Sequence, residues 1–277
     1  MSDLVIFGCG YTGRRVALRW RKRFPHARIV ATARHPPSLD GVTALAMDVT
    51  DPTTLLPLRE HVPRDALILH SIPIVVEHGR MADCTPRLLD ALDGRHSRVV
   101  YLSTTGVYGV VPFVNGQTPV APNTERVRLR VNAEQEVLSR GSSMVLRPAA
   151  IYGPGRGVHE SMRRGDFRLI EGGLQYTSRI HVDDLAAHAE AALCSDLQGA
   201  FPVADDDPCP SAEVARFCSA LLGLPMPPSV AAEQSSETRR SNRRVDGREI
   251  RSLLGVDLRY PSYRTGIPAS LEEAHRV

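Results

Sequence analysis

Lysine is almost missing from this 277-residue chain: Lys22 is the single one among 34 basic side chains, and the others are arginines. A mechanism that needs a lysine in the body of the chain is therefore excluded. A guanidinium stays protonated up to pH ~12 and neither gives nor takes a proton near neutrality. A charge excess is missing too, since 31 acidic side chains leave a net charge of +3. That balance does not support nucleic acid as a partner held by counterion release. The five cysteines are scattered, without a C-x-x-C pair or a metal-ligand spacing. No metal site is expected, and reduced thiols in a cytoplasm are. No apolar run approaches the ~20 residues of a membrane span, so no membrane association is expected. The apolar run at the N-terminus is also too short for a signal peptide.

What is present is a regular alternation. Leu4 to Phe7 is a short apolar run that stops at a glycine cluster, and a helical pattern through Val16, Ala17 and Trp20 follows. Further strands are expected at 29–33, 42–47, 66–70, 99–103 and 144–147. Helices are expected at 54–61, 81–92 and 125–138. Strands alternating with helices predict an α/β fold with a doubly wound parallel sheet, its ligand at the carboxyl ends of the strands. Past residue 150, prolines and glycines punctuate shorter elements. Helices are expected at 182–193, 212–222 and 248–254, with a mobile polar loop over 231–242. The expected division is a nucleotide-binding domain over 1–150 and a smaller substrate lobe over 151–277, packed on the same sheet.

Gly8-Cys9-Gly10-Tyr11-Thr12-Gly13 is G-x-G-x-x-G between a predicted strand and a predicted helix, the context a dinucleotide site requires. Gly8 permits the tight turn, Gly10 admits a pyrophosphate and Gly13 packs helix against strand. The helix N-terminus adds free N–H groups and partial positive charge. An NAD site carries an acid about 20 residues further on. Here that strand ends Thr32-Ala33-Arg34-His35. Arg34 would bind a 2′-phosphate that an acid would repel, so NADP is expected over NAD. A solvent-facing arginine is the alternative.

Five further segments follow in order: Met47-Asp48-Val49, Ser103-Thr104-Thr105-Gly106-Val107-Tyr108-Gly109, Arg147-Pro148-Ala149-Ala150-Ile151-Tyr152-Gly153-Pro154, Arg179-Ile180-His181-Val182-Asp183-Asp184-Leu185, and the tail with Ser241-Asn242-Arg243-Arg244. With the glycine loop, the chain resembles the NAD-dependent epimerase/dehydratase family, the extended branch of the short-chain dehydrogenase/reductases. The resemblance implies a Rossmann sheet with a C-terminal substrate lobe, and covers nearly the whole chain. It implies that Asp48 and Val49 meet the adenine, that His70 and Ser71 border the cofactor, and that Thr104 is the catalytic hydroxyl. Pro148, Ala149 and Ile151 would line the nicotinamide end. Arg156, His159 and His181 would face the substrate lobe, and a small-molecule substrate and a possible homodimer are implied. Asp48 as a turn cap, Thr104 bonded to backbone and His181 as a structural histidine are the alternatives. N-capping explains at least one of Asp183 and Asp184.

One family feature is missing. The catalytic Tyr-x-x-x-Lys pair falls on Arg126 and Arg130 when Glu134 is aligned with the family's glutamate. Arginine bias explains Arg130 but not the loss of the tyrosine. Arg126 would bind an anionic substrate group, or else point to water while Arg130 pairs with Glu134 at i, i+4. Tyr108, close to Thr104, is the nearest stand-in acid–base. The expectation is an NADP-preferring redox or isomerase enzyme acting on a small polar or anionic substrate. The alternative is a catalytically inactive NADP(H) sensor.

Overall fold

A computed structural model describes residues 2–234 and 241–274. Seven strands form the central sheet: β1 (Leu4–Phe7), β2 (Ile29–Ala33), β3 (Thr43–Ala46), β4 (Ala66–His70), β5 (His96–Leu102), β6 (Ser143–Pro148) and β7 (Gly199–Val203). Their spatial order is β7-β6-β5-β4-β1-β2-β3, and every pairing is parallel. The chain runs outward from β1 to β3, then returns to β4 on the other side of β1. That reversal opens a crevice at the carboxyl ends of β1 and β4.

Side-chain alternation sorts the two faces. Leu4, Ile6, Ile29, Ala31, Leu69 and Val100 point to one face. There they meet α1 (Tyr11–Arg23) through Val16, Ala17 and Trp20, and α6 (Val182–Leu193) through Leu185, Ala186 and Ala189. Val5, Phe7, Val30, Ile68, Val99 and Tyr101 point to the other. That face is covered by α2 (Leu58–His61), α3 (Thr85–Ala91) and α4 (Glu125–Ser139). Each large apolar side chain buried this way contributes about 1.5–3 kcal/mol.

The smaller lobe has its own core of Tyr152, Met162, Val214, Cys218, Tyr263 and Ile267. It is built from α5 (Val158–Arg163), α7 (Ser211–Leu222) and α9 (Tyr263–Ala274), while α8 (Arg248–Leu254) sends Ile250 into the sheet core. Chain beyond residue 150 is thus shared, because α6 and β7 return to the sheet.

Three expectations change. The helix expected over 81–92 begins only at Thr85, held by Pro86 in its first turn and by Asp83 Oδ1, which accepts from the Thr85 N–H at 2.9 Å. Met81 lies instead in a hairpin of Val75–Glu77 and Arg80–Ala82, whose turn residues His78 and Gly79 both have positive φ. The helix expected over 54–61 is divided at Pro57 into a 3-10 turn, Pro52–Leu55, and α2. β7 and α9 have no counterpart in the sequence expectations. Of the loop expected over 231–242, residues 235–240 lie outside the described residues; Ala232–Gln234 form a 3-10 turn. No helix among the described residues is long and apolar enough to cross a membrane.

Candidate functional site

The glycine loop sits at the crevice. Gly8 has φ +86°, and the N–H groups of Gly8 and Cys9 both donate to the Thr32 carbonyl, at 3.1 and 2.7 Å. A Cβ on Gly13 would stand 2.8 Å from the Gly8 carbonyl oxygen and 3.0 Å from Ile6 Cγ2, so helix and strand meet there without room for a methyl. A Cβ on Gly10 would meet nothing within 4 Å. Gly10 also caps α1 without a side-chain bond, and the first turn holds no acid. Its N–H groups and positive end therefore face open space, the arrangement that receives a pyrophosphate. Thr12 is buried behind the loop. The Tyr11 hydroxyl donates to the Pro154 carbonyl at 3.1 Å, and the Arg156 guanidinium lies 5.3 Å from its ring centre. The loop is thereby tied to the start of the smaller lobe.

Arg34 is exposed at the end of β2. Asp48 stands near it. Bonds from the Thr50 N–H (3.0 Å) and hydroxyl (2.8 Å), then the charge of Arg34, hold the Asp48 carboxyl below the usual range. The capping alternative for Asp48 is thus the one its hydrogen bonds display. Val49 is buried, and its carbonyl accepts from Arg87 at 2.7 Å. Ser71 flanks the glycine loop: a Cβ on Gly8 would stand 3.1 Å from its carbonyl carbon. His70 turns its ring inward. It shares a hydrogen bond with Thr85 Oγ1 at 3.0 Å and stacks on Tyr101 at 4.6 Å, and burial, then the Arg130 charge, pushes its pKa down to about 3. Only the backbone of His70 can border the crevice.

Thr104 is partly exposed beyond β5. Its Oγ1 accepts from the Gly106 N–H at 3.1 Å and caps a 3-10 turn, Thr105–Tyr108. That bond occupies a lone pair, and the hydroxyl hydrogen remains to donate. Tyr108 does not suit the acid–base role expected of it. It is fully buried, its hydroxyl accepts from Arg147 at 3.1 Å, and burial raises its pKa. Arg147 in turn grips Glu134, with 2.6 Å between Nη2 and Oε2, and Glu134 also accepts from Ser103 Oγ at 2.5 Å. Glu134 therefore does not pair with Arg130, which instead donates to the Tyr101 hydroxyl at 2.6 Å. Arg126 is exposed and has no partner among the described residues. Tyr152 is no substitute acid, since its hydroxyl is buried close to Gly266.

In the smaller lobe, His181 takes the structural alternative. Its Nδ1 accepts from the Asp183 N–H at 3.2 Å and caps α6, its Nε2 meets Ser270 Oγ at 3.1 Å, and burial holds its pKa at about 3. A buried, neutral, doubly bonded ring does not face a substrate, which corrects its expected role. Asp184 is equally committed, to the N–H groups of Arg259 and Tyr260. His159 is fully buried. Pro148 is buried at the end of β6, and the next N–H, of Ala149, bonds to the Val203 carbonyl. Arg156 lines an open cleft of about 590 Å³, together with Ser161, Arg164 and Phe167. Among the described residues no three potential ligands gather as a metal site.

No protein-family model matches the chain. A conserved Silicibacter pomeroyi protein of unknown function is 32% identical over 99% of both chains, with a TM-score of 0.81. A candidate NAD-dependent epimerase/dehydratase of Methylobacillus flagellatus is 26% identical over 99% of both chains, with a TM-score of 0.77. The chain is similar to the NAD-dependent epimerase/dehydratase family and has its fold. Thermus thermophilus UDP-glucose 4-epimerase, solved with NAD, shares the family fold at a TM-score of 0.82 and 18% identity, over 99% of both chains. Among curated proteins, a Streptomyces 3-diazoavenalumate denitrifying reductase is 31% identical over 156 residues. That match spans half of this chain and 51% of the reductase.

The sequence pointed to the loop glycines and Thr104 but not to the Glu134–Arg147 pair. Nothing in a helix and a strand 13 residues apart announces that two charges will be buried together. The signal available was Arg147 itself, a cation inside an otherwise apolar strand.

Proposed function

We propose that this protein is an NADP(H)-dependent reductase that delivers hydride to a small anionic substrate without a tyrosine acid–base. The observation that carries the reading is the free N-terminus of α1 over Gly10, with Arg34 rather than an acid at the end of β2. The loop N–H groups would hold the pyrophosphate, Arg34 the 2′-phosphate, and Asp48 and Ser71 would flank the nucleoside. When bound, the nicotinamide supplies a hydride. Thr104 donates a hydrogen bond to a reacting carbonyl oxygen, or turns its free oxygen lone pair to a cationic reacting group; Arg156 attracts an anionic substrate from the cleft, and the exposed Arg126 adds to that attraction. Tyr101, Tyr108 and Tyr152 are all buried. A proton for a carbonyl substrate would have to come from water. A diazonium substrate suits such a site better. It accepts hydride as its C–N bond breaks and dinitrogen leaves, and no proton is needed. The partial likeness to a denitrifying reductase supports that substrate class. Five free cysteines support a cytoplasmic setting.

Calorimetric titration with NADPH and NADH tests the cofactor. NADPH should bind about tenfold tighter or more, and Arg34→Ala should erase the difference. Tighter NADH binding overturns the preference. Mixing the NADPH-loaded protein with 4-diazoniobenzoate tests the reaction, with protein-free NADPH as the control. Benzoate and NADP+ should form, more slowly in Thr104→Val. The second reading, a sensor without turnover, is favoured by Arg130 being tied to Tyr101. It prevails if NADPH binds tightly yet neither 4-diazoniobenzoate nor any of a panel of ketones accelerates its oxidation.

A further inference from the structure

The Arg243-Arg244 segment has no part in the site above. Arg244 lies between two aromatic rings, its Cζ 3.5 Å from the centre of the Tyr176 ring and 4.8 Å from that of Phe113. The backbone fixes this stack. The Arg244 N–H donates to the Pro112 carbonyl at 2.8 Å, the Arg243 N–H to the Tyr176 carbonyl at 2.9 Å, and the Tyr176 N–H to Asn242 Oδ1 at 2.8 Å. Arg243 also donates to the Gly109 carbonyl, where the turn capped by Thr104 ends. Arg244 therefore belongs to the same loop cluster as the proposed catalytic hydroxyl.

A guanidinium covered on both faces keeps its in-plane N–H fork free, and that fork matches a carboxylate or a phosphate. Among the described residues no carboxylate engages the fork; Asp246, two residues on, is taken by Arg248 at 2.6 Å. The rim is apolar. Phe113 is 63% exposed, Val110 89% and Leu174 77%, each within three residues of a member of the stack. Isolated exposed apolar residues are ordinary, but an exposed Phe113 stacked on a cation without a carboxylate partner among the described residues, with Val110 and Leu174 close in sequence to the stack, describes a ligand with a charged end and an apolar body.

We propose that Arg244, clamped between Phe113 and Tyr176, anchors the carboxylate of a substrate whose body is apolar. The assignment rests on the reading of this edge as a substrate site. It names the group that fixes the far end of the substrate, and so a determinant of specificity. Arginine is required rather than lysine, because a compact ammonium would neither fill the stack nor present a planar fork.

The test is binding of 3-phenylpropionate to the full chain, with and without NADP+, by calorimetry. The neutral amide 3-phenylpropionamide and inorganic phosphate are the comparison ligands. The acid should bind about tenfold tighter than the amide. Arg244→Gln should remove that difference, Arg244→Lys should restore it only in part, and Phe113→Ala should weaken the acid and the amide alike. NADPH affinity should be unchanged in all three variants, which reports that they are folded and that the cofactor site is separate. Equal binding of acid and amide by the parent protein, or full retention of the difference in Arg244→Gln, overturns the proposal. Arg244-dependent binding of phosphate without binding of the acid overturns the carboxylate assignment. None of these outcomes depends on turnover, so failure of the anchor and failure of the reductase reading are separable.

Discussion

Replacing Glu134 by glutamine keeps the side-chain shape and removes one charge from a pair that is 3% and 10% exposed. Arg147 would keep its bond to the Tyr108 hydroxyl and gain a neutral carbonyl in place of a carboxylate. Removing one member of a buried pair costs about 3–5 kcal/mol, because the other charge stays buried without compensation. The remaining hydrogen bonds place Glu134→Gln near the lower end, about 3 kcal/mol. At about 2–4 °C per kcal/mol for a chain approaching this size, the midpoint should fall by roughly 6–12 °C. Arg147→Met should cost at least as much, since it strands an acid that then keeps only Ser103 Oγ. The double replacement Glu134→Leu with Arg147→Met removes both charges together and should recover most of the loss. The assay is thermal and urea unfolding of the parent, the two single variants and the double variant. A loss below about 1 kcal/mol in Glu134→Gln, or a double variant as unstable as the sum of the singles, would refute the argument.

Gly10→Ala and Gly13→Ala should separate binding from folding. The first should leave the midpoint of the cofactor-free protein within about 2 °C and abolish stabilisation by NADPH. The second should cost about 1–3 kcal/mol even without cofactor, by overpacking against Gly8 and Ile6. Asp205 gives a test against pH. Burial, opposed by Arg179, raises its carboxyl to about 8, against about 3.9 in an unfolded chain. Its contribution to stability is full below pH ~4 and is lost as pH rises through 8. The stability of Asp205→Asn relative to the parent should therefore climb between about pH 4 and 8 and level off above; a flat difference falsifies the assignment. Acid acts through the histidines. His70 and His181 are held neutral down to about pH 3, and His188 to about 4. Stability should fall as pH drops below ~6.5, when the unfolded chain alone takes up protons. His188→Gln, measured at two pH values, should show a smaller loss than the parent.

The sheet was largely legible because its strands are short apolar runs between helical patterns, and the glycine loop was legible because its geometry demands those residues. The hairpin at 75–82 was not. Met81 reads as the start of an apolar helical face, and only the positive φ at His78 and Gly79 shows the chain reversing. β7 was missed because Gly199-Ala200-Phe201-Pro202-Val203 carries a proline that argues against a strand, and an edge position is what makes it tolerable. Around Thr104 the sequence named the residues but not their directions. Tyr108, His70 and His181 lie on site-bearing segments, yet all three rings point into packed interior, and a motif does not encode which way a side chain turns. The partner of Arg130 was not legible for a similar reason. Helical spacing offered Glu134, and the tertiary pairing with Arg147 had already claimed it.

The late return of α6 and β7 to the sheet has a consequence for dissecting the molecule. A fragment ending near residue 150 would hold every residue of the glycine loop. It would nevertheless leave one edge of β6 unpaired and strip α6, one of the two helices that cover it, from the Leu4–Ile6–Val100 face. Such a piece would present an open strand edge beside a partly uncovered apolar surface, the combination that recruits other chains. Grafting the nucleotide site onto another scaffold, or exchanging substrate lobes between relatives, therefore has to carry residues 182–203 with the first half of the chain.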